Sequence, residues 1–299
     1  MSGLRTLARV LVLVAALAAV LPAATVRPTT LSLSRVDTAK SIDFEDGVVW
    51  VLVLGSDARS GQPIERGHTD AIQLLALDLE SGAAAGIGIP RDAWVELPGG
   101  PDRLGDAMSE GGTGLTARAV ADLVGIAPDF VLLTGFDGFL SMTEAVDGVD
   151  VVSSQRFVTD DAGSVVRRGL NHFDAAEALD FAATRDSLRS DFDRMANHQA
   201  LLLGYLRGLR TREDDKGFME DVTLAALGGL ETDVAPTDLY RLAQAVTQVD
   251  PREVTGCLVF GRPFTSPDGA SVIDPDTGLA RRLGRDAARD AALDPACEG

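Results

Sequence analysis

Lysine is almost missing from this 299-residue chain: of 27 basic residues only Lys40 and Lys216 are lysine, and the rest are arginine. Cysteine is limited to two positions and histidine to three. None falls at metal-ligand spacing or forms a Cys/His pair, so nothing marks a thiol nucleophile. The chain also lacks internal repeats, low-complexity tracts and glycine-rich phosphate loops of the Walker or Rossmann type. Positive charge is in deficit overall. The formal net charge of -18 repels polyanions, which argues against nonspecific binding to nucleic acid or to an anionic membrane surface. Any anion this protein binds therefore needs a local basic cluster. The arginine bias matches a GC-rich, Ala/Asp/Arg-rich coding style, and the planar guanidinium also suits bidentate phosphate binding better than ammonium does.

What is present is 45% hydrophobic residues, ample for one large domain with a sizeable core and too little chain for three. At the N-terminus, "MSGLRTLARVLVLVAALAAVLPAATV" places Arg5 and Arg9 before an uncharged apolar stretch from Val10 to Val26. Two readings compete, a cleaved signal peptide and a retained anchor. The length of the stretch favours the anchor, with the positive flank cytoplasmic and the remainder outside. Outside the membrane the environment is oxidising, so Cys257 and Cys297 are expected to pair, closing a loop of about 40 residues.

The following segment, "RPTTLSLSRVDTAKSIDFEDG", is polar and reads as a stalk. A domain then begins on "VVWVLVLG" (48–55), a β-branched apolar run of the kind buried on both faces. "AIQLLALDL" (71–79), "AAAGIGIP" (83–90) and "DFVLLTGF" (129–136) resemble it. Helical spacing appears over 113–125, 136–148, 173–185, 191–210 and 235–248. The expected architecture is α/β, a layered α-β-α domain around a central mixed, mostly buried sheet. The expected organisation is a cytoplasmic N-terminus (1–9), an anchor (10–26), a stalk (27–46), the domain (47–262) and a C-terminal tail (263–299).

Charged residues gather where these runs end. "GSDAR" supplies Asp57 and Arg59, "RGHTDA" supplies His68 and Asp70, "IPRD" supplies Arg91 and Asp92, and "DRLGDA" supplies Arg103 and Asp106. "TRDSLRSDFDRMANHQ" adds Arg185, Asp191, Arg194, His198 and Gln199. Strand termini of α/β sheets are where ligand sites usually lie. Asp191, Arg194 and His198, spaced three and four apart, share one helical face. A carboxylate, a guanidinium and an imidazole so placed can together handle a phosphate, although a solvated ion pair would show the same spacing. His172 reads as a helix-start or packing residue, and Trp50 and Trp94 as core or rim packing.

The segments "VLVLGSDAR", "HTDAIQLLALD", "GIPRDAWVELPG", "RLGDAMSEGG", "VDGVDV" and "GLNHFDAAEALDFAATRDSLRSDFDRMANHQALL" resemble the LytR-CpsA-Psr family in order and spacing, over roughly residues 48–210. The resemblance implies a phosphotransferase outside the membrane that moves a glycopolymer from a polyprenyl-pyrophosphate carrier to peptidoglycan. It also implies Mg²⁺ on the pyrophosphate and an apolar groove for the prenyl chain between sheet and helices. It casts Asp57 and Asp70 as metal-side aspartates. Arg59, His68, Arg91, Arg103, Arg185, Arg194 and His198 become pyrophosphate-side residues, and Asp191 the group that activates the acceptor hydroxyl. Arg91, Asp191 and Arg194 are then the catalytic set.

The chain also departs from the family pattern. His68 stands where the family has arginine, Arg103 where it has lysine, Ala183 where it has arginine, and His198 where it has glutamine, with Gln199 one later. The lost arginine at Ala183 and the altered His68 and His198 keep two alternatives open: a noncatalytic lipid-pyrophosphate-binding or regulatory protein, and a polyprenyl-pyrophosphate pyrophosphatase.

Overall fold

Each apolar run becomes a strand of one sheet. In the computed structural model the described residues are 30–36, 47–59, 61–185, 187–188, 190–212, 218 and 230–293. The expected cytoplasmic segment, the anchor at 10–26 and Cys297 lie outside them. Among the described residues no helix is long and apolar enough to cross a membrane.

The chain opens with β1 (Leu31–Arg35), β2 (Val48–Ser56), β3 (Thr69–Asp78) and β4 (Ala84–Gly88). A ribbon of β5 (Trp94–Leu97) and β6 (Gly100–Arg103) leads to α1 (Ala107–Val124), β7 (Phe130–Thr134) and α2 (Phe136–Ala145). Two further ribbons follow, made of β8 (Val149–Ser153), β9 (Phe157–Val158), β10 (Val165–Val166) and β11 (Gly169–Phe173). Next come α3 (Ala175–Ala183), α4 (Asp191–Thr211), β12 (Leu230–Thr232), α5 (Pro236–Gln248) and β13 (Val254–Leu258). A hairpin of β14 (Gly261–Thr265) and β15 (Ser271–Pro275) precedes α6 (Thr277–Asp290).

The main sheet has seven strands in the order β12-β1-β7-β2-β3-β4-β13. It is mixed: β2 runs parallel to β7 and β4 to β13, while β3 is antiparallel to both β2 and β4. Alternation along the strands feeds two cores. Leu52, Leu54, Ile72, Leu74 and Ile87 face α1 and α6, whereas Val49, Val51, Leu77 and Phe130 face the opposite layer with Leu206 of α4 and Leu242 of α5. This is the expected layered α/β architecture. A satellite core joins β8 and β11 to α3 and α4 through Val149, Val151, Phe173, Phe181 and Leu201.

Two boundaries differ from the expected ones. The stalk contains β1, which pairs with both β7 and β12, because the alternation Leu31, Leu33 buries one face of a segment that otherwise reads as polar. The tail is part of the layered domain: Ala280, Leu283 and Ala287 of α6, then Ala291 and Leu293, join the same buried cluster as Leu52 and Leu74. Cys257, on β13 beside β4, is disulfide-bonded.

Candidate active site

The strand pairings put the C-terminal ends of β2, β4 and β7 and the N-terminal end of β3 along one edge of the sheet. There Asp70 faces two arginines from distant parts of the chain. Arg91, in the turn after β4, donates from Nη1 to Asp70 Oδ1, and Arg185, just beyond α3, donates from Nη2 to Asp70 Oδ2 at 2.9 Å. Asp92 Oδ2 lies 3.6 Å from Arg91 Nε, behind the same guanidinium.

Arg185 is placed by a neighbouring ribbon. Asp160, in the turn between β9 and β10, accepts from the Arg185 and Ser187 backbone N–H groups at 2.5 and 3.2 Å. The same turn is tied to α3 by the buried Asp180, which accepts from the Asp161 and Ala162 amides. On the other side, α4 begins at Ser190, whose side chain caps the Asp193 amide. Its first turn holds Arg194 Nη2 against Asp191 Oδ1 at 2.7 Å, and Arg194 is only 2% exposed. The partial positive charge of a helix N-terminus adds to this cationic corner.

Electrostatics differ from one arginine to the next. Burial disfavours the charge on Arg91, but Asp70, supported by Asp92 and Asp191, outweighs it and raises the pKa above the ordinary value. Burial pulls the Arg194 pKa down; Asp191 opposes this, and repulsion from Arg91 and Arg185 adds to the fall. Both remain guanidinium ions at neutral pH. His198, one turn along α4 from Arg194, is bonded through Nε2 to the Ala182 carbonyl at 3.0 Å. A carbonyl only accepts, so Nε2 carries the proton and Nδ1 presents a lone pair. Burial, then the nearby Arg194 charge, lowers the His198 pKa to about 4, so the ring is neutral at pH 7.

Among the described residues, the enclosed side-chain atoms without a hydrogen-bond partner all belong to six residues: Thr69, Gln73, Arg91, Asp191, Arg194 and His198. Native interiors pair nearly all such atoms, because each unmade bond costs about 1–3 kcal/mol. Their confinement to one strand, one turn and one helix face marks a site that keeps bonding capacity for a ligand.

The other expected site residues sit in a separate string. Asp57 Oδ1 accepts from the His68 backbone N–H at 2.7 Å, the His68 ring lies 3.6 Å from Asp57 and 3.4 Å from Asp106, and Arg103 Nε donates to Asp106 at 2.7 Å. Arg59 is exposed on the loop after β2 and joins neither group. Gln199 Nε2 donates to the Gly86 and Cys257 carbonyls, so it ties α4 to β4 and β13. His172 is not a packing residue: it is exposed on β11 and pairs with Asp150 across the ribbon at 2.8 Å, while Asp174 supplies the capping box of α3. Trp50 is buried in the core, and Trp94 meets Phe264 edge-on at 6.1 Å.

For a metal, the donors available are the Asp57 and Asp70 carboxylates at the same sheet edge. No group of three or more His, Cys, Asp or Glu that could hold an ion occurs among the described residues. Carboxylate oxygens are the hard donors that Mg²⁺ takes, commonly one or two of them with phosphate oxygen and water in its remaining positions; both Asp57 oxygens already face His68. Each Asp70 oxygen already accepts an arginine but has a second lone pair.

By fold and site, the molecule is a three-layer α/β domain with a cluster of arginines and aspartates at its strand ends. More particularly, the chain belongs to the LytR_cpsA_psr family, whose pattern matches residues 23–280. It is 31% identical over 182 residues to the probable cell wall biosynthesis protein LcpB of Corynebacterium glutamicum, covering 56% of this chain and 44% of LcpB. It is 33% identical over 144 residues to the polyisoprenyl-teichoic acid–peptidoglycan teichoic acid transferase TagT of Bacillus subtilis, covering 45% of each. The chain thus spans somewhat under half the length of these two relatives. The fold matches that of TagT bound to LI-WTA with a TM-score of 0.68 at 22% identity, over 91% of this chain and 100% of the other. It also matches the YwtF (TagT) protein with bound octaprenyl pyrophosphate lipid, with a TM-score of 0.63 at 20% identity, over 89% and 99%.

Proposed function

We propose that the protein is a phosphotransferase that moves a glycopolymer from a polyprenyl-pyrophosphate carrier to peptidoglycan, with residues 10–26 anchoring an extracytoplasmic domain. The observation that carries this reading is the meeting of Arg91, Arg185 and Arg194 around Asp70 and Asp191. In that group Arg91 Nε, Arg194 Nε and Asp191 Oδ2 are enclosed and without a hydrogen-bond partner among the described residues. TagT, a polyisoprenyl-teichoic acid–peptidoglycan teichoic acid transferase, and its structure with octaprenyl pyrophosphate lipid support the same direction.

In this mechanism the arginine N–H groups take the diphosphate oxygens and offset the charge that builds on them. Asp191 Oδ2 takes the proton of the acceptor sugar hydroxyl as that oxygen attacks the phosphorus. The P–O bond to the carrier breaks, polyprenyl phosphate leaves with the bonding pair, and the glycopolymer phosphate stays on the acceptor. Asp57 and Asp70 would hold Mg²⁺, which when bound supplies further neutralisation of the diphosphate. Half-buried Val53, Leu132 and Leu206, on the α4 side of the sheet, offer apolar surface for the prenyl chain.

The test uses full-length protein in lipid nanodiscs with Mg²⁺, a glycan-bearing polyprenyl pyrophosphate and labelled peptidoglycan fragments. Release of polyprenyl phosphate coupled to glycan on peptidoglycan is expected, and Arg91→Ala should lower kcat/KM by about 10²–10³. Absence of any product, with Arg91→Ala indistinguishable from wild type, would overturn the reading. The noncatalytic alternative is favoured by Ala183 and by the pairing of His68 with two carboxylates. It predicts lipid binding that survives Asp191→Asn and no transfer under any metal. Release of phosphate without peptidoglycan fragments would mark a pyrophosphatase.

A further inference from the structure

The segment from Val149 to Phe173 buries one side and leaves the other to solvent. Every even-numbered residue from 150 to 160 is exposed, while 149, 151, 153, 157 and 159 are buried, so the period of a strand continues through the gap between β8 and β9. Val149, Val151, Phe157, Val166 and Phe173 share one core, and the reverse sides of both ribbons therefore make one outer surface. On it Val152 lies opposite Leu170, and Val158 opposite Val165. These four are among the six large apolar side chains exposed in the described residues, and Leu170 is the most exposed of them at 67%. Apolar residues exposed singly need no explanation, whereas two cross-strand pairs on one surface do. Arg156, Arg167 and Arg168 are exposed on the stretches that join the two pairs, and none of the three guanidinium groups makes an ion pair among the described residues.

Charge and chain length identify what covers this surface. The stretch 151–170 holds three arginines against two aspartates in a chain of net charge -18, and Asp160 is turned to the Arg185 and Ser187 amides. Apolar side chains flanked by guanidinium groups match the outer zone of a phospholipid bilayer, where the former enter the acyl boundary and the latter meet phosphate. The acidic remainder of the protein is repelled from such a surface, which favours approach by this side. With residues 10–26 in the bilayer, as proposed above, only 27–30 separate them from β1, a reach of at most about 18 Å. Leu31 stands opposite Thr134 at the C-terminal end of β7, on the catalytic edge, and the β9–β10 turn meets that edge where Asp160 holds Arg185 beside Asp70. We propose that the outer surface of these ribbons docks on anionic phospholipid, through Val152, Val158, Val165 and Leu170 with the three arginines among them. Docking turns the catalytic edge toward a substrate carried in the bilayer. It rests on the anchor of the proposed function, and not on the transfer chemistry.

The experiment places full-length protein in nanodiscs of phosphatidylcholine and phosphatidylglycerol, with ordinary or brominated acyl chains, and reads tryptophan emission. Leu170→Trp reports from the ribbon, and Arg285→Trp, exposed on α6 in the opposite layer, is the control; wild type gives the background of Trp50 and Trp94. Emission from position 170 should be lost in brominated discs and that from 285 retained. Adding Arg167→Ser and Arg168→Ser should restore the emission at 170, by lowering the docked-to-undocked ratio about tenfold or more. Equal emission at 170 in both kinds of disc, or a loss that survives removal of both arginines, overturns the docking surface and leaves the transfer reading standing. A change at 170 that follows the number of chains per disc rather than bromine marks a second copy on this surface and also overturns it. A chain that does not enter the discs overturns the anchor and the docking together. Loss of emission at 170 in a protein that transfers no glycan overturns the phosphotransferase reading instead, and the docking stands.

Discussion

His198 ties the site to pH through its own burial. Its folded pKa of about 4 lies below the ordinary 6.5, so between these values the unfolded chain binds a proton that the folded one refuses. Stability is therefore fully present above pH 6.5 and is lost as pH falls toward 4, by about 2–3 kcal/mol at pH 4.5. Urea unfolding of wild type and His198→Gln at pH 7 and pH 4.5 checks this: the wild type should lose that much more than the variant, and equal losses would show a solvated imidazole. At this scale the sequence was legible where charge meets a strand or helix end. Asp70, Arg91, Arg185, Asp191, Arg194 and His198 stood out for that reason and do converge. Arg59 stood out equally yet is exposed, because a motif fixes neighbours along the chain and not the direction of a side chain on a loop. Thr69 and Gln73 were passed over inside "TDAIQLLALD", where the surrounding leucines signal packing. The available sign was an amide in a run otherwise apolar enough to be buried on both faces.

Among the elements, α4 carries most of the chemistry and is held in place by close approach. Gly204 rests on β8, and a Cβ there would lie 2.5 Å from the Asp150 carbonyl and 2.7 Å from Val149 Cγ2. Two effects compete in Gly204→Ala. Alanine favours the helix by roughly 1 kcal/mol, while a clash with backbone that cannot step aside costs about 1–3 kcal/mol. The clash should win, so the variant should unfold at lower urea and, because α4 also bears Asp191 and Arg194, show weakened lipid binding. A rise in stability would mean that α4 is free to lift from β8. The helix itself was readable from its apolar spacing, as were β2, β3, β4 and β7 from their continuous runs. The two-stranded ribbons between α2 and α3 were not, since β9 and β10 have two residues each and such short pieces carry no period. Asp160, which orients Arg185 from one of these ribbons, was lost with them.

For the whole molecule, the sharpest disagreement between pattern and fold lies at the C-terminus. "RPFTSPDGASVIDPDTG" is dense in turn residues and α6 is rich in arginine and aspartate, so composition alone describes a tail stapled to the domain by its cysteine pair rather than packed into its core. Yet a polar helix needs only a narrow apolar stripe to dock, and Ala280, Leu283 and Ala287 provide it at three- and four-residue spacing against α1 and the sheet. Small side chains give a weak hydropathy signal but allow close helix packing, as where α6 Gly284 approaches the Val124 carbonyl of α1. Together with Leu293 this segment contributes on the order of 5 kcal/mol of apolar burial, comparable with the net stability of a typical domain. Stopping the chain after Pro275 should therefore abolish cooperative unfolding by circular dichroism and expose β2 and β3 amides to hydrogen exchange. A dispensable tail would leave both measurements as in the full chain. The same deletion would also remove Cys297 and with it any disulfide that residue makes. Cys297→Ser in the otherwise complete chain is the control: if it unfolds cooperatively while the shortened chain does not, the packing of α6 rather than the covalent link holds the sheet.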